Sequence, residues 1–348
     1  MIGTLYFAIP GSLATRSGGY GYDRRMIAEL GALGWQVNHL PLPGGFPQPD
    51  AACLAETARL LAGLPDEALV LVDGLAFGAM PEIAAAEAGR LRLVALVHHP
   101  LALETGLDAA TAAELAASER RALGFAREVV TTSPTTAREL VANFAVADDR
   151  LSVVVPGTEG AARARGSGDV PTILSVGSLI ARKDHATLMD ALARIRDLSW
   201  HCRIIGDETA DPATAEALMA QIAELVLGDR ITLCGASGAI DREYAAADIF
   251  ALASRYEGYG MVFAEALAHG LPIVGCAGGA VPEVVPETAG MLVPPGDVAG
   301  IADALRLLLS GPERRRAMGD AAYAAGQALP SWRESAETLS GILARAMA

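Results

Sequence analysis

The chain has 348 residues, 52% hydrophobic and 20% charged, a balance that supplies a large core and excludes a disordered chain. That length exceeds what one core usually serves, so two domains of about 150–170 residues each are expected. A formal net charge of −14 excludes a general nucleic-acid binder, because the phosphate backbone would repel it; any bound phosphate must be held locally by loop amides and a few cations.

The amino terminus reads as a first strand, Thr4–Ile9, broken at Pro10, without the basic stretch of a signal peptide. Apolar runs then alternate with Ala/Leu-rich amphipathic stretches: strands Gln36–Leu40, Ala68–Asp73, Leu91–His98 and Glu128–Thr132 are interleaved with helices Gly21–Leu33, Asp50–Ala62, Met80–Gly89 and Ala109–Gly124. Short strands alternating with longer helices predict a mostly parallel sheet covered on both faces. After Leu151–Val155 comes a Gly/Ala/Arg-rich stretch without apolar periodicity, and the rhythm restarts with Thr172–Val176, Trp200–Ile205, Arg230–Leu233, Ile249–Ala253, Pro272–Gly275 and Gly290–Val293. The expected fold is therefore α/β, two Rossmann-like doubly wound domains facing across a cleft. The first spans 1–156, a linker 157–170, and the second 171–330. A helix over 331–348 follows and is free to cross back to the first domain. Ligands of such sheets sit beyond the carboxyl ends of the strands.

Cys53, Cys202, Cys234 and Cys276 stand singly, so neither a zinc site nor a disulfide framework is expected. No run of about eighteen apolar residues suggests a membrane span. A cytoplasmic protein with at most peripheral membrane association is the expectation.

Three segments carry candidate chemistry. The most informative is Ser254-Arg-Tyr-Glu257-Gly258-Tyr259-Gly260-Met261-Val-Phe-Ala-Glu265, running on to Gly270 and Pro272. A buried strand ends at Ser254, a glycine-rich turn follows, and a short helix stops at Gly270 and Pro272. Glu257 precedes that helix and Glu265 lies within it, while Gly258 and Gly260 allow close approach of a ligand to the backbone. Two carboxylates beside free amides suit sugar and ribose hydroxyls; a helix-dipole partner and a surface residue are the plainer reading of the same pair. The second segment, Gly177-Ser178-Leu-Ile-Ala-Arg182-Lys183-Asp184, reads as strand, turn and helix start. It puts two cations where an anion would offset their unfavourable interaction with the helix dipole; a solvated basic pair with Asp184 as cap is the alternative. The third is Thr15–Arg25, with Gly18 and Gly19, a flexible glycine loop whose spacing is not that of a dinucleotide fingerprint. His98 and His99 end one strand, and Asp73 and Glu104 flank them.

The Glu257/Glu265 segment resembles the Glu-x7-Glu motif of retaining glycosyltransferases of family 4, which have the GT-B fold. The likeness extends through Ala-x-x-x-Gly270-x-Pro272 to Gly278-Gly279-Ala-Val-Pro282-Glu283. The resemblance implies a hexosyl transfer from a UDP- or GDP-linked sugar to a hydroxyl of a saccharide, lipid or small molecule, with retention of configuration. It gives Lys183 the diphosphate; family members carry an arginine where this chain has Ser178, and whether the neighbouring Arg182 takes that place is left open by the resemblance. Gly18, Gly19, Gly177 and Ser178 are expected at the phosphates. Gly258, Tyr259, Gly260 and Met261 are expected around the donor, Glu257 at its sugar, Glu265 at its ribose, and His98 or His99 near the reacting carbon. No metal or other cofactor is expected. Alternatives on the same fold are a nucleotide-sugar epimerase and a non-catalytic nucleotide-binding subunit.

Overall fold

A computed structural model describes residues 2–348, which divide into two compact units. The first comprises the chain up to Gly157 together with Pro330–Ala348, and the second Thr158–Leu329.

Six parallel strands build the first unit: β1 (Thr4–Pro10), β2 (Gln36–Leu42), β3 (Leu69–Asp73), β4 (Arg92–Val97), β5 (Glu128–Thr131) and β6 (Leu151–Val153). They lie in the order β2-β1-β3-β4-β5-β6. All five residues of β3 are buried, as expected for a central strand covered on both faces. The helix Gly18–Ala32 buries Tyr22, Asp23, Met26 and Leu30, a stripe at helical spacing with one carboxylate in it. The final helix, Trp332–Met347, opens on a capping box in which the Ser331 side chain accepts from the Glu334 amide and Glu334 reaches back to Ser331. It buries Trp332, Leu339, Ile342 and Leu343, packs along the helix Gly18–Ala32 and strands β3 and β4, and places Ser340 to accept a 2.8 Å bond from the Trp35 indole.

The second unit holds β7 (Thr172–Val176), β8 (His201–Ile205), β9 (Ile231–Leu233), β10 (Ile249–Leu252), β11 (Ile273–Cys276) and β12 (Gly290–Val293). Their order, β12-β11-β10-β7-β8-β9, is again wholly parallel. Counted from β7 this is the doubly wound 3-2-1-4-5-6 arrangement, so the expected pair of Rossmann-like folds is present. Trp200, Leu188, Ile204, Ile249 and Leu305 are among the side chains filling its core.

The expected strands lie within a residue or two of the observed ones. Helix starts differ more. The Gly18–Gly19 pair, read from the sequence as a loop, opens the helix Gly18–Ala32, capped by Ser17, whose side chain accepts from the Tyr20 amide; such a cap satisfies an end that glycine's weak propensity obscures. The helix expected over Met80–Gly89 is shorter, Pro81–Glu87. The helix Pro134–Phe144 was not anticipated.

Candidate active site

In a doubly wound sheet the ligand site lies where strand order reverses. In the second unit that point falls between β7 and β10, and the carboxyl ends of these two strands carry the basic and acidic segments. Beyond β7 the chain makes a 3₁₀ turn, Ala181–Lys183, and Asp184, at φ +46°, caps the helix His185–Ala193. Gly177 lies along the lysine: a Cβ there would sit 3.1 Å from Lys183 Cδ.

The two segments meet at Glu257, which is 6% exposed. Lys183 Nζ donates to its Oε1 at 2.6 Å, Ser254 Oγ donates to the same oxygen at 2.6 Å, and Arg182 Nη1 reaches Oε2 at 3.4 Å. Burial pushes the Glu257 carboxyl up, but Lys183 and Arg182 outweigh it and hold the group below the usual carboxylate range. The cluster of two cations and one anion leaves one positive charge at the strand ends.

The Glu257 backbone is fixed from the other side by Gly278–Ala280. Its amide donates to the Gly278 carbonyl at 3.3 Å and its carbonyl accepts from Ala280 at 2.9 Å. Gly279 has φ +62°, and a Cβ there would collide with the Glu257 carbonyl oxygen. Gly258, Tyr259 and Gly260 carry the chain into the helix Met261–Ala268, whose cap is Gly260 at φ +97° with no side-chain cap bond. The helix ends in a Schellman motif: Gly270, at φ +72°, donates to Leu267 and Leu271 to Ala266.

Glu265 sits apart from the cation cluster. Its Oε2 accepts from the Tyr244 hydroxyl at 2.8 Å, and Tyr244 is buried and stacked on His269 with ring centroids 4.9 Å apart. Burial raises the Glu265 carboxyl to about 7, a rise the Tyr244 bond opposes. Tyr244 was missed in the sequence; it lies on a short helix, Ile240–Ala246, with nothing local to mark it.

In the first unit the order reverses between β1 and β3, and here too polar groups gather. His98, just beyond β4, points Nε2 at Asp23 Oδ1 (3.3 Å) and Asp73 Oδ2 (3.4 Å). Asp23 is fully buried. Asp73 also caps the next helix by accepting from the Leu75 amide at 2.8 Å. Burial alone lowers the His98 imidazole, but hydrogen bonds and charge from Asp23 and Asp73 outweigh it and raise it to about 10. Tyr22 meets it edge-on, with ring centroids 5.0 Å apart. Gly19 lies against the same ring, an added Cβ falling 3.5 Å from His98 Cδ2. His99 turns elsewhere, its Nε2 3.9 Å from Glu104. Asp23, Asp73 and His98 are, among the described residues, the group whose potential metal-ligand atoms all lie within 4.8 Å of one another.

Residues 161–325 match the family described as "Glycosyl transferases group 1". The chain is 30% identical over 324 residues to the MMP alpha-(1->4)-mannosyltransferase of Mycolicibacterium hassiacum, covering 87% of this chain and 77% of that protein. It is 31% identical over 243 residues to the D-inositol 3-phosphate glycosyltransferase of Nocardia farcinica, 64% of this chain and 53% of the relative. Among solved structures, sucrose-phosphate synthase from Thermosynechococcus elongatus superposes with TM-score 0.82 at 21% identity, over 97% of both chains. The Anabaena protein HepE, in complex with UDP and glucose, superposes at 0.78 and 16% identity, over 96% of this chain and 98% of that one. The chain belongs to the group 1 glycosyltransferases, of the family 4 type with the GT-B fold, and is a glycosyltransferase. No described helix is long and apolar enough to cross a membrane.

Proposed function

We propose that the enzyme moves a hexosyl group from a nucleoside diphosphate sugar, UDP- or GDP-linked, to a hydroxyl of a saccharide, lipid or small molecule, with retention of anomeric configuration. Relatives named for mannosyl transfer, two of them for GDP-mannose dependence, and structural neighbours solved with UDP and UDP-glucose support a donor of this class. The observation that carries the reading is the Arg182–Lys183–Glu257 cluster at the switch point of the second unit.

Transfer breaks the bond between the sugar's anomeric carbon and the diphosphate oxygen, and the diphosphate leaves with the electron pair. Negative charge therefore grows on its oxygens. Lys183 and Arg182 are preorganised to meet that charge, since Glu257 already holds them and they need not reorganise during reaction. Glu257, ionised at neutral pH, keeps Oε2, the oxygen with the longer contact, to accept from a donor hydroxyl. The acceptor oxygen bonds to the anomeric carbon from the face the diphosphate leaves, and its proton passes to the departing phosphate. Glu265 accepts from the ribose hydroxyls. Ser178, in the turn beyond β7, serves as a neutral donor to phosphate.

Calorimetry and thermal shift with UDP, GDP, ADP, CDP and TDP test the donor. One diphosphate is expected to bind and raise the melting temperature, and NMR of the product from the matching sugar nucleotide is expected to show the donor's anomeric configuration. A folded protein that binds none of the five, or a product of inverted configuration, would overturn the proposal.

A further inference from the structure

The opposite end of the second sheet holds a cavity of about 290 Å³ at the amino-terminal ends of β10 and β11. It lies at the small end of the range for small-molecule sites, roughly 300–1,000 Å³. Its charged lining is Arg163, Arg165, Arg315, Arg316 and Asp248. Four guanidinium groups gathered in one crevice are unusual on a chain of net charge −14, because like charges repel unless something answers them.

The protein answers them only in part. Asp248, the single lining carboxylate, is fixed by the chain and keeps one negative charge against the four: its Oδ2 accepts from the Ser167 amide (3.2 Å), the Ser167 hydroxyl (2.5 Å) and the Thr172 amide (2.9 Å). Arg163 pairs with Asp320, and its stem runs along Gly270, where an added Cβ would lie 3.3 Å from its Cγ. Arg315 Nη1 is tethered to the Leu308 carbonyl at 2.9 Å, which fixes its position without cancelling its charge. The side chains of Arg165 and Arg316 have no hydrogen-bond or ion-pair partner among the described residues. The helix Pro312–Gln327 begins at the same rim with no side-chain cap, so its positive end adds to the field.

We propose that this crevice is a binding site for an anion bearing at least two phosphate groups, separate from the transfer site at the other end of the sheet. Two unpaired guanidinium forks suit phosphate oxygens, which they engage bidentately. Arg163 and Arg315, held by the protein, set the shape of the site, and Asp248 keeps the Ser167–Thr172 segment in place beside it.

The test is calorimetric titration of the whole protein with inorganic pyrophosphate, with and without saturating nucleoside diphosphate, in the wild type and in Arg165→Ala/Arg316→Ala. A binding event that survives nucleotide saturation and weakens tenfold or more in the double variant, at unchanged melting temperature, is expected. Arg165→Lys/Arg316→Lys should recover part of the affinity, since lysine keeps the charge and loses the fork. A parallel arm measures co-sedimentation with cardiolipin-containing and pure phosphatidylcholine vesicles, cardiolipin carrying two phosphate groups. Retention on the anionic vesicles alone, lost in the double variant, assigns the phosphate to a bilayer headgroup, whereas pyrophosphate binding without vesicle retention assigns it to a soluble ligand. Equal pyrophosphate binding by wild type and double variant without arginine-dependent vesicle retention, or no binding in either arm, overturns the proposal.

Discussion

Lys183 Nζ and Glu257 Oε1 lie 2.6 Å apart across 74 positions of sequence, one beyond the end of β7 and the other beyond the end of β10. The lysine and glutamate side chains are 12% and 7% exposed, so each depends on the other to offset desolvation. Lys183→Ala leaves a buried carboxylate short of its nearest cation and should cost about 3–5 kcal/mol of stability. Adding Glu257→Gln should recover a large part of that loss while transfer stays abolished. Denaturant unfolding of the two variants, read beside their activity, checks both halves; a double variant no more stable than Lys183→Ala contradicts the account.

Gly279 offers a separate handle on the same carboxylate. Alanine there would adopt φ +62° and collide with the Glu257 carbonyl, so the Ser254–Gly260 turn must shift. Misplacing a positioned group by about 1 Å can cost on the order of 100-fold in rate. Gly279→Ala should therefore lower kcat by one to two orders of magnitude. Gly296→Ala, also at positive φ but with no neighbour within 4 Å of an added Cβ, should leave kcat near wild type.

The Tyr244 hydroxyl is the hydrogen-bond donor to Glu265, whose carboxyl is raised to about 7. Ionised Glu265 accepts ribose hydroxyls better than the neutral acid, so nucleotide affinity should increase as pH rises through that value. Tyr244→Phe removes a bond that lowers the pKa, which moves the increase to higher pH and weakens binding several-fold at pH 7. Calorimetry between pH 6 and 8.5 would detect it. For stability the sign runs the other way. A carboxyl raised above its unfolded value favours the fold at low pH, and that contribution is lost as pH rises through about 7.

His98 and His185 should separate in a histidine NMR titration. Held by Asp23 and Asp73, His98 should keep an imidazolium spectrum past pH 8. His185, buried with Lys183 adding to the depression, should stay neutral down to about pH 4. Asp23→Asn should bring His98 back toward ordinary titration and lower kcat more than it alters nucleotide affinity. The folded His98 pKa lies above its unfolded value, so its stabilising contribution is complete below about pH 6.5 and disappears as pH rises through about 10. An unchanged His98 titration in Asp23→Asn would contradict this picture.

Strands were the most legible part of the sequence, because parallel strands buried on both faces appear as unbroken apolar runs such as Leu69–Val72. Glu257 and Lys183 were found through the glycines and strand ends around them, although their direct pairing spans too much sequence to be read from spacing. Asp23 went unseen because a carboxylate on a helix is ordinarily a surface group. One signal was available: Asp23 lies at i+4 from Gly19 and three and seven residues before Met26 and Leu30, on the stripe the helix buries. Tyr244 offered no such sign, since its partner comes from a different helix.

The final helix belongs to the first unit although the whole second unit precedes it in the chain. The second unit is contiguous and can fold once its own residues have left the ribosome. The first cannot cover Trp35, Tyr22 and the face of β3 and β4 until Trp332–Met347 has been made. At roughly 5–20 residues per second, that interval lasts on the order of ten to forty seconds. Throughout it an apolar sheet face stands open to chaperones or to neighbouring nascent chains. A message truncated before Trp332 would leave the first unit without the helix that meets Tyr22 and accepts from the Trp35 indole.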